Sequence, residues 1–104
     1  MIALVMSVSL PMTTYAANWY LEDGSVTVNA DNSGQTVTQG GGSAVPDEAP
    51  VITQRESSVE TGNTIAISTS DNAAANVTIK DINIKSSNDA IDVKGSSSAN
   101  ITLE

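Results

Sequence analysis

Cysteine, histidine and phenylalanine are all missing from the 104 residues. Without cysteine there can be no disulfide, no thiolate metal site and no thiol nucleophile. Without histidine the chain lacks the commonest general base, and hydrolysis by a histidine-activated nucleophile is excluded. Basic residues are also scarce: 4 Lys and Arg stand against 12 Asp and Glu, a formal charge of −8. Phosphate recognition needs a basic face, so nucleic acid is excluded as a partner. Excess negative charge favours solubility but does not choose a fold. Absence of cysteine does not by itself settle the compartment.

Long apolar runs are lacking as well. The longest is Ile2–Met12, IALVMSVSLPM, which is shorter than the about 20 residues that cross a bilayer. Thr14-Tyr15-Ala16 follows, with small residues at the −3 and −1 positions of a signal-peptidase site. Residues 1–16 therefore read as a secretory signal peptide cut before Ala17, and residues 17–104 as the mature domain. No Lys or Arg precedes the apolar run, a departure from the usual leader that places the true start upstream. The other reading of this segment is a buried strand or helix of the domain. After cleavage no membrane insertion is expected.

What the mature chain does contain is period-two alternation bounded by Asn, Asp, Gly and Ser, the pattern of half-buried strands. Val26 and Val28 alternate, as do Ile65 and Ile67, Val77 and Ile79, Ile82 and Ile84, Ile91 and Val93, and Ile101 and Leu103. With Val37 and Ile52 these side chains are expected to point inward. The stretch GGGSAVPDEAP, residues 40–50, reads as a loop, because glycine frees the backbone and proline removes ladder donors. NVTIK at Asn76 returns as NITLE at Asn100, 24 residues on. A repeat of strands and turns at that length suggests stacked coils. Asn63, Asn76, Asn88 and Asn100 recur at steps of 13, 12 and 12. Asparagine tolerates the left-handed backbone region and suits a repeated corner, where stacked side chains can bond as a ladder. The apolar positions also change parity across Lys80-Asp81, odd before and even after. A straight strand would send one pair outward, whereas a bend there keeps all four inside. A β-bulge in an ordinary sandwich strand would produce the same pattern.

NTIAIS, NVTIKDINIK and AIDVKGSSSANITLE resemble the coils of secreted right-handed parallel β-helix proteins of Gram-positive gut-type bacteria, the pectate-lyase-like or carbohydrate-binding-domain surface proteins. The likeness covers about Trp19–Glu104 and is strongest from Asn63 onward. It implies an all-β chain, a right-handed parallel β-helix of roughly three to four coils running on past Glu104 in a longer protein. An antiparallel β-sandwich is the alternative fold. The function expected is a non-catalytic scaffold, secreted or at the cell surface, attached to the wall through a region beyond Glu104. Its partner would be a glycan or a host or cell-surface protein, and no cofactor is called for. The alternative is the N-terminal part of a polysaccharide lyase or glycoside hydrolase of pectate-lyase-like fold. Enzymes of that kind use Ca²⁺-binding carboxylates and a basic residue, for which Asp81, Asp89 and Asp92 with Arg55, Lys80 or Lys94 are the candidates. Calcium needs about six to eight convergent oxygens, and these aspartates sit beside strand residues where an outward polar position is ordinary. Sugar recognition favours aromatic platforms, which leaves Trp19 and Tyr20, although covering one end of the coil would explain them too. Thr78, Lys80, Asn83, Lys85, Asp92, Lys94 and Thr102 are expected to form an outward polar row, open to a glycan or simply to water.

Overall fold

The computed structural model describes residues 17–95 and 97–104; the leader segment, residues 1–16, lies outside them. Alternation lays down nine short strands among the described residues. They are β1 (Asn18–Tyr20), β2 (Val26–Asp31), β3 (Gly34–Gln39), β4 (Val45–Pro46), β5 (Val51–Thr53), β6 (Ile65–Thr69), β7 (Ala74–Ile79), β8 (Ile91–Gly95) and β9 (Ser98–Leu103). A 3-10 turn, Leu21–Asp23, follows β1. No described helix is long and apolar enough to cross a membrane.

Two open sheets result. The first, in the order β9-β7-β5-β1, is parallel throughout. The second, β4-β3-β2-β6-β8, is mixed: β2, β6 and β8 run parallel, while β3 and β4 are antiparallel to their neighbours. Inward ladders of aligned apolar residues explain the pairing. Val26 faces Ile65, which faces Ile91; Val28 faces Ile67, which faces Val93. On the parallel sheet Trp19 faces Ile52, Ile52 faces Ile79, and Ile79 faces Leu103. A slip by one residue would turn each of these rows to water.

The inward rows of both sheets share one core, which also takes in Leu21, Ala30 and Ala75. Val26, Val28, Val37, Ile52, Ile65, Ile67, Val77 and Ile79 are buried in it as expected. Ile82, Ile84 and Ile91 are partly buried against it. Val93, Ile101 and Leu103, on the edge strands β8 and β9, remain exposed, Leu103 at 74%.

All-β is therefore right, but the parallel β-helix of three to four coils is not what forms, and neither is the antiparallel sandwich. The chain makes a compact pair of sheets, one parallel and one mixed. Coil winding fails at Asn32-Ser33. There a two-residue turn, with Ser33 donating from its N–H and hydroxyl to Asp31 Oδ1 at 2.9 and 2.6 Å, reverses the chain into β3. Offsets between paired strands are unequal for the same reason. They are 33 residues from Asn18 to Val51, 27 from Val51 to Thr78 and 24 from Asn76 to Asn100. On the mixed sheet they are 39 from Val26 to Ile65 and 26 from Ile65 to Ile91. The 24-residue recurrence is thus one strand pairing and not the period of a solenoid. The sandwich fails because parallel pairing holds the centre of both sheets.

The asparagine corners are also corrected. Asn76 and Asn100 lie within β7 and β9, where Asn100 Nδ2 donates to Asn76 Oδ1 at 3.0 Å. Asn63 and Asn88 lie in connections. Among the described residues the non-glycine positions with left-handed backbone are Asp71, Asn72 and Asp81. Asp81, with φ at 51°, makes the bend expected at Lys80-Asp81.

Gln35 is 3% exposed and ties the two sheets together. Its Nε2 donates to the Asp47 and Asn76 carbonyls at 2.9 and 3.0 Å, and its Oε1 accepts from the Asn76 N–H at 2.8 Å. Replacing Gln35 by Leu keeps the volume and strips these three backbone groups of their partner. The expected loss is at least about 2 kcal/mol, since each unsatisfied buried group costs roughly 1–3 kcal/mol. Urea unfolding at unchanged slope measures it; stability equal to the parent would contradict the assignment. At Gly95 the backbone has φ of 125°, and an added Cβ would collide with the Thr69 carbonyl oxygen. Gly95→Ala should therefore lower the melting temperature by several degrees, while Gly41→Ala, in open space, should not.

Candidate binding groove

Strand alternation decides where the two candidate aromatics go. Trp19 turns inward with Ile52 and packs against the core, and its Nε1 donates to Asp47 Oδ2 at 2.8 Å. Its neighbour Tyr20 turns to the other face of β1. The two rings therefore do not form one platform, and Trp19 is engaged in the fold.

The outer face of β1 and β5 carries Asn18, Tyr20, Val51 and Thr53, aligned by the pairing of Asn18 with Val51 and of Tyr20 with Thr53. Gln54, Lys80, Asp81 and Glu104 complete a depression of about 380 Å³. Lys80 and Asp81 reach it through the bend that ends β7. Glu104 is held beside it because its N–H donates to the Ile79 carbonyl at 2.9 Å.

Tyr20 is braced from outside. The Arg55 guanidinium sits 4.2 Å from the ring centroid, a cation–π contact. Arg55 is fixed in turn by two parallel hydrogen bonds to Asp23, both 2.9 Å. Glu22 accepts from the Arg55 and Glu56 N–H groups at 3.0 and 2.9 Å. The 3-10 turn after β1 thus clamps the segment after β5. Arg55 holds the Asp23 carboxyl below its usual value, chiefly by hydrogen bonding. For Glu22 desolvation acts to raise the carboxyl, but the N–H groups of Arg55 and Glu56 outweigh it and the net shift is downward.

The other candidates are scattered. Asp89 and Asp92 line a second depression of about 500 Å³ with Thr64, Ile65, Ala66, Ser87 and Asn88. Asp81 lines the first groove, so the three aspartates proposed for calcium do not converge. No group of three or more Asp and Glu able to hold a metal occurs among the described residues. Asp92 instead pairs with Lys94 at 3.3 Å. Of the basic residues named with them, Arg55 is committed to Asp23 and Tyr20, and Lys80 lines the first groove beside Asp81. The outward polar row is split too. Thr78 and Thr102 pair on the parallel sheet, Asp92 and Lys94 lie on the mixed sheet, and Asn83 and Lys85 occupy the connection between β7 and β8. Asn83 Nδ2 is engaged with the Ser57 carbonyl at 3.0 Å.

Asn18, Thr53 and Glu104 were not singled out by sequence reasoning. For Asn18 and Thr53 the only signal is a side of the strand shared with Tyr20, visible once β1 and β5 are known to be neighbours; for Glu104 it is the pairing of β9 with β7. Comparison with protein-family models, with curated proteins and with solved structures finds no match to the chain.

The clamp sets a pH response. Both carboxyls are lowered relative to the unfolded chain, so their stabilising effect is complete above the ordinary carboxylate range and is lost as pH falls through the lowered values. Tyr20 ring resonances should report Arg55 stacked at neutral pH and released only as the pH falls below the ordinary carboxylate range. Release at neutral pH on adding moderate salt would contradict the bidentate geometry.

Proposed function

We propose that the chain is a non-catalytic binding module, secreted or held at the cell surface, that takes a glycan in the Tyr20 groove. The observation that carries this reading is the groove's composition: one braced aromatic ring among two amides, a hydroxyl, an ammonium and two carboxylates. A sugar ring offers C–H faces to an aromatic and hydroxyls to polar groups of both kinds. The negative charge of the chain disfavours polyanions, which directs the choice toward neutral or amino sugars. The leader sequence supports export. The scattering of the carboxylates and basic residues supports binding without catalysis.

A glycan array probed with the purified protein tests this. Binding to neutral or amino sugars is expected, weakened at least tenfold by Tyr20→Leu and by Asn18→Ala at unchanged melting temperature. A blank array would remove the glycan reading, and binding that survives both substitutions would place the contact elsewhere.

A further inference from the structure

Asp47 is 1% exposed, yet neither of the ion pairs among the described residues, Arg55–Asp23 and Lys94–Asp92, reaches it. The donors it has are neutral: Trp19 Nε1 at 2.8 Å and Ala17 N at 3.2 Å on Oδ2, and Ala49 N at 3.1 Å on Oδ1. A buried carboxylate is costly unless a charge compensates it. Asp47 is also tied down through its backbone. Its N–H donates to the Gln35 carbonyl at 3.1 Å, and its own carbonyl accepts from Gln35 Nε2 at 2.9 Å. The neighbouring carboxylate, Glu48, is turned away to the Gln35 N–H at 3.1 Å.

Ala17 is the residue before which the leader sequence places its cut. Its carbonyl accepts from the Val51 N–H at 3.0 Å, which anchors it to β5 and keeps its nitrogen at Asp47. We propose that Ala16–Ala17 is a processing site whose product is recognised within the fold. Cleavage frees the Ala17 α-amine, and Asp47 receives it as a buried ion pair that locks β1 onto the parallel sheet. The step is a hydrolysis. The Ala16–Ala17 amide breaks, water supplies the hydroxyl that completes the Ala16 carboxylate, and its proton goes to the Ala17 nitrogen. At neutral pH that amine takes a further proton, since a free α-amine has a pKa of about 7.7–8.0. An amide with one N–H thereby becomes an ammonium with three donors, at a buried carboxylate that has no cationic partner among the described residues. The proposal rests on the secretory reading above, and it explains why a strand of three residues, β1, can hold its place at the edge of a sheet.

Two experiments separate the pair from the secretory reading. In the first, the full chain is expressed in a secreting bacterial host and the released protein is sequenced from its N-terminus. A start at Ala17 is expected. A start elsewhere overturns the assigned cut, and failure to release a cleaved product overturns the secretory reading and the processing site with it. In the second, the residues before Ala17 are made cleavable by a sequence-specific protease that leaves Ala17 first, and melting is followed before and after the cut. Cleavage should raise the melting temperature by roughly 4–8 °C, the shift that one moderate interaction produces in a domain of this size. Acetylating the new α-amine should abolish the gain, and Asp47→Asn should make cut and uncut chains melt alike. A gain that survives acetylation, or no gain at all, overturns the ion pair whatever the export result. Because Asp47→Asn could fail to fold, the parent also supplies a direct readout. The Ala17 α-amine should react with an acetylating reagent at least tenfold more slowly in the folded protein than in urea, and equal rates overturn the pair.

Discussion

A backbone N–H or C=O shut away from water must find a partner, and in this chain glutamine amides supply it where strands do not. Gln35 serves Asn76 and Asp47. Gln39 donates to the Tyr20 and Gly24 carbonyls at 2.6 and 3.0 Å, closing the 3-10 turn onto β3. Gln54 donates to the Val59 carbonyl at 3.1 Å and accepts from the Asn83 N–H, reinforcing two connections that otherwise meet at the isolated parallel bridge of Thr61 with Ile84. An amide can donate and accept at once, so a single side chain satisfies groups of both kinds. The two sheets have strands of two to six residues, too short to cover all their backbone by pairing. These side chains make such short elements tolerable.

The groove depends on that arrangement at one remove. Gln39 holds the Tyr20 carbonyl while the Glu22 and Asp23 carboxylates hold Arg55 over the Tyr20 ring. Tyr20 is thus fixed through its backbone on one side and through its ring on the other. A rigid aromatic loses little freedom when a ligand settles on it. Trp19, one residue earlier, is fixed in the opposite sense, by packing against the core and by Asp47. Two adjacent aromatics therefore divide between holding the fold and lining its surface.

Much of the strand pattern is legible in the residues themselves. Val26, Val28, Ile65, Ile67, Val77 and Ile79 alternate as buried strand residues do, and they are buried. The bend at Lys80-Asp81 is legible for the same reason, since the change of parity admits few geometries. What escapes is everything that depends on pairing at a distance. The motif shared by Asn76 and Asn100 marks a true register, but extending it to the whole chain overlooks the reversal at Asn32-Ser33, where no Asn-Gly or Asp-Gly pair announces a hairpin. Leu21 is absent from the expected core because it sits in a turn, outside any alternation. Gln35 shares the inward parity of Val37, yet its polarity argues for the surface until Asn76 is known to lie beside it. The role of Asp47, placed between two prolines in a stretch read as loop, carries no local signal at all.

The excursion between β3 and β4, Gly40–Ala44, has a consequence for how the chain tolerates change. Residues 41–44 are exposed, and a side chain added at Gly41 would enter open space. Register on either side is set by the ladder of β2 with β3 and by Gln35 at Asp47, not by the length of this span. Closing a loop twice as long costs only about 0.6 kcal/mol more. A reporter peptide or a whole guest domain could thus be spliced between Gly41 and Gly42 and displayed outward, with the sheets beneath it undisturbed.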